Sequence, residues 1–312
     1  MAKDLVIKTD NKFIKKSNTI VRAVTNESVG ILTMKLFNFA ILSIKKDVKQ
    51  FNGNIKFWVK DFCCFYEISG ASLYEKVIHK NKEMTVIQKE IQNITQMQFL
   101  LLDEKGNKYK FINLFLEGGW DTGCIEFKVN KDLTTKYYLD LKSDYTNIYL
   151  PYTKNVTSKY SLRLYEYLRS YLYMNAKTKR VPTYIHEWDF KQLSNILNLS
   201  LNSSYFKNIG DFKKRILEPV KKDLLKTDII FTYELIKVGR KYSKIILNTH
   251  LDLEKFNAQN PELEKVPTKK EYKTKEQENK SNWYENQSKN NIEKTILSDK
   301  QIQNILDNID SN

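Results

Sequence analysis

The 312-residue sequence predicts an α+β fold: two tandem modules of one kind, then a polar tail. Three observations predict it. Residues 158–250 read as helix, strand, helix, helix, hairpin. The same order recurs more faintly over 28–129. From Asn257 to Asn291 the chain turns to Lys, Glu, Asn, Gln and Ser with Pro261 and Pro267, too polar to offset the entropy of ordering. Helix, strand, helix, helix, hairpin is the element order of a winged helix, whose third helix enters a major groove while the hairpin lies along the backbone or minor groove.

The second module is the more legible. Tyr160, Leu164, Leu168 and Leu172 recur every four residues, with Arg163, Glu166 and Arg169 on other faces, so an amphipathic helix capped by Ser158 is expected. Val181, Thr183 and Ile185 alternate around Pro182 as a short edge strand does. Trp188, Leu193, Ile196 and Leu197 mark a second helix. In 211–227, Phe212, Ile216, Val220 and Leu224 form an apolar stripe. At 100° per residue, Lys214, Arg215, Glu218 and Lys222 fall opposite it. Pro219 sits inside this segment, so either one helix kinks or two short helices meet. The stretch 228–249 predicts a hairpin that turns on Lys237-Val238-Gly239-Arg240.

In the first module a broadly apolar helix is expected over 28–44, a strand over 55–59, and helices over 61–68 and 72–92. Lys76, Lys80, Lys82 and Lys89 give the last of these its cations. Strands are expected at 97–102, 109–116 and 125–129, with a turn at 103–107 and Gly118-Gly119 as a strand connection. The expected division is 1–150, 151–256 and a tail 257–312. In that tail Ile302, Leu306 and Ile309 suggest a short helix over 299–309, with Ser298 and Gln301 resembling a capping box.

Charge points to a polyanionic partner. Lys and Arg outnumber Asp and Glu by 52 to 37, a net +15. Residues 158–250 carry +10 of it, residues 1–157 carry +7 and the remainder −2, which favours a localised anion-binding surface. No run reaches the ~20 apolar residues of a membrane span, and the N-terminus lacks the core of a signal peptide, so a cytoplasmic protein without membrane contact is expected. Cys63, Cys64 and Cys124 suggest buried free thiols, not a disulfide framework or a zinc site.

Catalytic chemistry finds no constellation. A rolling-circle nickase needs a close pair of histidines for its metal, and His79, His186 and His250 are far apart. Gly118 and Gly123 have P-loop spacing, but Cys124 and Ile125 stand where Lys and Ser/Thr are needed. A non-enzyme without cofactors is expected. The nickase stays as a minor alternative, and a tandem winged-helix repressor as the main one.

The segments 158–171 (SKYSLRLYEYLRSY) and 211–224 (DFKKRILEPVKKDL), the hairpin with Lys237, Gly239, Arg240 and Lys241, and NTIVRA at 18–23 resemble the initiator replication proteins of iteron plasmids, the Rep_3 or RepB-like family. The resemblance covers roughly 12–250. Where the family commonly has a polar Glu-Gln or similar pair early in its first helix, this chain has Val29-Gly30-Ile31. The resemblance implies binding to direct repeats at a plasmid origin through both domains. It also implies a homodimer, in equilibrium with monomer and joined through the N-terminal domain, that represses its own gene at an inverted repeat. Melting of an AT-rich region and recruitment of the host initiator and helicase would follow. The cations expected on double-stranded DNA are Lys80 and Lys82 in the first module. In the second they are Lys207, Lys213, Lys214, Arg215, Lys221 and Lys222 on and before the third helix, and Lys237, Arg240, Lys241 and Lys244 on the hairpin.

Overall fold

The computed structural model describes residues 12–25, 29–44, 51–102, 109–179, 182–200, 202–239 and 241–259. The tail from 260 onward, with the helix expected at 299–309, lies outside them. The described residues begin with β1 (Phe13–Ser17), α1 (Asn18–Arg22) and β2 (Val24–Thr25). Next, α2 (Ile31–Leu42) is apolar nearly all round. Accordingly it is central, with Leu36, Phe37, Phe39, Ala40 and Ile41 all buried. Then come β3 (Asn54–Trp58), α3 (Val59–Tyr66) and α4 (Gly70–Tyr74).

The single helix expected over 72–92 is instead α4, a hairpin of β4 (Lys76–His79) and β5 (Lys82–Thr85), and α5 (Val86–Thr95). Lys80 and Asn81 adopt positive φ and turn the hairpin. Thr85 and Gln88 form a capping box that starts α5 afresh. Lys76, Lys80 and Lys82 therefore lie on a hairpin and not on a helix.

Strands β6 (Gln98–Leu102) and β7 (Tyr109–Asn113) join β2 in one sheet. The strand expected over 109–116 breaks at Leu114, and β8 (Phe115–Asp121) moves to another sheet with β9 (Cys124–Val129) and β3. Gly118-Gly119 is thus interior to β8, not a connection. A Cβ on Gly118 would come within 2.7 Å of Ile91 and 2.9 Å of Phe127, so its absence lets α5 rest on the sheet. Cys63 and Cys124 are buried as expected, but Cys64 is exposed because it points away from the face of α3 that carries Phe62 and Tyr66.

A short helix α6 (Lys131–Thr134), running on as a π turn over Thr135–Leu139, leads to β10 (Tyr145–Tyr149), which pairs antiparallel with β1. After α7 (Pro151–Lys154) comes the longest helix among the described residues, α8 (Lys159–Lys179). The second module continues with β11 (Thr183–Asp189), α9 (Phe190–Leu197), α10 (Ser204–Lys207) and α11 (Ile209–Phe212). A π turn over Lys213–Leu217 runs straight into α12 (Glu218–Leu224). The hairpin of β12 (Ile229–Val238) and β13 (Lys241–Leu251) follows, then α13 (Leu253–Gln259). Trp188, expected in the second helix, lies in β11 instead. Asp189 and Gln192 form a capping box that places the helix start after it.

Both winged helices have the same sheet order, first strand, last strand, middle strand: β3-β9-β8 and β11-β13-β12. Their core is continuous, from Ile14 to Phe256. Helix α8 is not amphipathic in the expected sense. Glu166 and Arg169 are buried along with its leucines. Lys16 Nζ donates to both carboxylate oxygens of Glu166 at 2.8 Å, and Asn38 Nδ2 donates to it at 2.9 Å. Arg169 pairs with buried Asp228 and donates to Asn147 O at 2.6 Å. Arg163 donates to Val21 O at 2.8 Å, to Ala23 O, and to Ile196 O at 3.0 Å. Glu166 holds elements of the first module, and Arg163 and Arg169 each join both modules.

His186 on β11 is 4% exposed and enclosed by aromatic rings, with Tyr184 at 4.5 Å, Trp188 at 4.8 Å and Tyr171 at 5.0 Å between centroids. Burial first, and the Arg22 guanidinium second, pull its pKa down to about 3. The folded state therefore keeps this imidazole neutral, while the unfolded chain binds a proton below about 6.5. Stability from this site is complete above pH 6.5 and is lost as pH falls towards 3. By pH 5 the loss is about 2 kcal/mol. Urea unfolding at pH 7.5 and pH 5 checks this: His186→Phe should show a smaller difference between the two pH values, and an unchanged difference refutes it.

Candidate nucleic-acid interface

The sequence from Ile209 to Leu224 forms one continuous helical rod despite Pro219. The π turn ends just before the proline, with Glu218 N–H donating to Lys213 O, and Pro219 falls in the first turn of α12. Phe212, Ile216, Leu217, Val220 and Leu224 face the core. Asp223 is buried and accepts from Thr157 N at 3.0 Å and Ser158 N at 3.3 Å, which fixes the rod to the start of α8. The opposite side presents Lys213, Lys214, Arg215, Lys221 and Lys222, all exposed. The Arg215 side chain is 66% exposed and only loosely paired with Asp211, at 3.8 Å. Glu218, the acid among these cations, accepts from Tyr233 Oη on β12 at 2.6 Å. That bond ties the rod to the hairpin. Burial, then the neighbouring Glu218, raise the Tyr233 phenol above its ordinary range, so it remains a donor.

The β12–β13 hairpin turns at Gly239, whose φ of +62° suits glycine. Lys237 is exposed near the tip with its ammonium 4.7 Å from the Tyr242 ring. Val238 is 70% exposed beside it. Lys244 lies further down, on the sheet surface, and pairs with Glu187 at 2.6 Å. Lys241 begins β13 and Lys207 ends α10. The side chains of these two, and Arg240 as a whole, lie outside the described residues. The structure thus brings the helix cations and the hairpin cation Lys237 into one domain, and assigns Lys244 a neutralising partner.

The first winged helix differs. Its third helix is α5, whose one cation, Lys89, lies 3.4 Å from Glu90. Its hairpin turns at Thr122 and Gly123 beside Asp121, so this tip is acidic. Lys80 donates to Gln96 at 2.7 Å, and Lys82 is exposed on the neighbouring strand. They stand on the separate β4–β5 hairpin. Beside Lys89, the polar groups on α5 and at its C-terminal cap are amides, Gln88, Gln92, Asn93 and Gln96, with the Gln92 oxygen buried. Sequence reading missed them because one long helix was expected there. The Thr85-x-x-Gln88 box was the signal that would have found the break.

Comparison with known proteins agrees with this architecture. Residues 13–169 match the family model "Initiator Replication protein, WH1", and residues 189–248 match "Initiator Rep protein, WH2". A crystal structure of the Pi initiator protein in complex with iteron DNA superposes with a TM-score of 0.57 at 15% identity, covering 77% of this chain and 98% of that one. Domains 2 and 3 of RctB give a TM-score of 0.39 at 13% identity, covering 78% of this chain and 93% of that chain. No curated protein matches. With both winged-helix models matched in order over most of its length, this chain belongs to the Rep3 family of initiator replication proteins.

Proposed function

We propose that this initiator binds direct repeats at a plasmid origin, with the second winged helix as its main DNA reader, and that it does not cut DNA. The observation that carries the reading is the exposed row Lys213, Lys214, Arg215, Lys221 and Lys222 on a rod braced by Asp223 and Glu218, with Lys237 on the adjoining hairpin. Such a surface places long cations against phosphates on both sides of a groove. Its fold relative, the Pi initiator, was solved on iteron DNA. Residues 151–256 would supply the main contact, and 1–150 a weaker contact through α5, Lys80 and Lys82 together with dimerisation. The edge strand β7, with Tyr109 and Phe111 exposed, offers a surface to a second copy. As a dimer the protein would repress its own gene at an inverted repeat. As a monomer it would help open the origin and recruit the host initiator and helicase in the cytoplasm. Among the described residues no helix is long and apolar enough to cross a membrane, and no three His, Cys, Asp or Glu side chains converge as metal ligands.

The test is footprinting of the purified chain on its own origin, followed by incubation of the supercoiled origin plasmid with Mg²⁺ or Mn²⁺. Protection of repeated sites with the plasmid still supercoiled is expected. Open circles carrying covalently attached protein would overturn the non-catalytic reading, and uniform protection of unrelated DNA would overturn the repeat-specific one.

A further inference from the structure

A cavity of about 70 Å³ lies at the seam of the two winged helices, between α1, α2, β6, α8 and α9. Its walls are largely apolar, formed by Val21, Met34, Phe37, Met97 and Phe99 among others. One water needs about 10–15 Å³ of such space and two to four polar partners. The cavity therefore has room for several waters, but walls like these supply partners for few of them. Its charged groups are Lys16, Lys159, Arg163 and Glu166, and its neutral polar groups are Tyr138, Thr25, Asn38 and Asn198. Tyr138 is 3% exposed, and its buried hydroxyl has no hydrogen-bond partner among the described residues. An unsatisfied buried hydroxyl is costly, which makes a ligand acceptor favourable there.

The sign of the lining decides the ligand. Lys16, Lys159 and Arg163 stand against Glu166 alone. The Glu166 carboxylate is already taken by Lys16 and Asn38. Arg163 spends its donors on the carbonyls of Val21, Ala23 and Ile196, so the donors left to an occupant are the Tyr138 hydroxyl and the Lys16 ammonium, in a lining of net positive charge with apolar walls. We propose that this cavity is a binding site for a small apolar carboxylate, its head on Tyr138 and Lys16 and its body against Met34, Met97 and Phe99. Helices α8 and α9 and strand β6 all border it, so an occupant contacts both DNA-binding modules and favours the arrangement described above. The proposal goes beyond the DNA-binding reading and is tested without DNA.

The experiment titrates full-length protein with propionate, followed by saturation-transfer NMR and by thermal unfolding. Saturable binding in the millimolar range or tighter is expected, with a rise in Tm. Propionamide, of the same shape but uncharged, should bind about tenfold more weakly, as loss of one charged hydrogen bond implies. Tyr138→Phe should weaken propionate by a similar factor without lowering the ligand-free Tm, since the hydroxyl has no protein partner to lose and its burial is costly. Three results would each overturn the proposal: no saturable binding in the millimolar range, equal binding of the amide, or an unaltered affinity in Tyr138→Phe.

Discussion

Replacing Arg169 by methionine is expected to lower the unfolding free energy by about 3–5 kcal/mol, the usual penalty for leaving one partner of a buried ion pair alone. Arg169 and Asp228 are both fully buried. The guanidinium also donates to Asn147 O on β10 and lies 5.6 Å from the Phe256 ring of α13. Truncation therefore strands a carboxylate in the core and frees a strand and a helix at once. Asp228→Asn should be milder, because it leaves a neutral amide beside a cation that still has Asn147. The double variant Arg169→Met/Asp228→Leu should recover much of the loss, since neither charge then needs burying. Denaturant unfolding of the three variants measures this directly. A loss below about 1 kcal/mol for Arg169→Met would place that arginine among exposed pairs, against the burial described.

The second large effect concerns DNA. Changing Lys213, Lys214, Lys221 and Lys222 together to glutamine should reduce affinity about 4,000-fold at 0.1 M salt, if each meets a phosphate. Each released counterion contributes a little under a factor of ten there, and about 0.9 to the slope of log affinity against log salt. The fold should survive, because all four side chains are exposed. Arg215→Ala should behave differently. Its planar fork suits a guanine edge, so a loss of about 1–3 kcal/mol confined to one base position is expected. Lys241→Ala should weaken all sequences alike. Lys244→Ala should do little, because Glu187 already holds that ammonium. Binding isotherms across a salt series, on the repeat and on single-base variants, separate these outcomes. An unchanged slope in the fourfold variant would move the reading surface off this helix.

How much of this was legible in the sequence depended on how many partners each element has. The rod from Ile209 to Leu224 has one buried face and one wet face, so its stripe at helical spacing read correctly, and its cations with it. The hairpin read correctly too, because Gly239 marked its turn. Helix α8 misled because it packs against more than one neighbour. Glu166 and Arg169 resemble a solvated face until Lys16 and Asp228, distant in sequence, arrive to pair with them. The region 72–92 misled because Lys and Glu are compatible with helix and hairpin alike, and the positive φ of Lys80 and Asn81 leaves no strong mark in composition. The pairing of β1 with β10 is a contact between remote short strands, which periodicity cannot reveal. The cavity at the seam could not be read either, since its lining is drawn from six or more separate segments.

The bond between Lys16 and Glu166 spans 150 residues. On a ribosome adding about 5–20 residues per second, Lys16 emerges roughly 8–30 s before its partner exists. In the same interval β1 waits for β10, and α2 waits with Asn38 for the same carboxylate. Among the described strands of the N-terminal half β1 is therefore the last to be paired, and that nascent half passes the time with an unpaired strand and an unmatched cation.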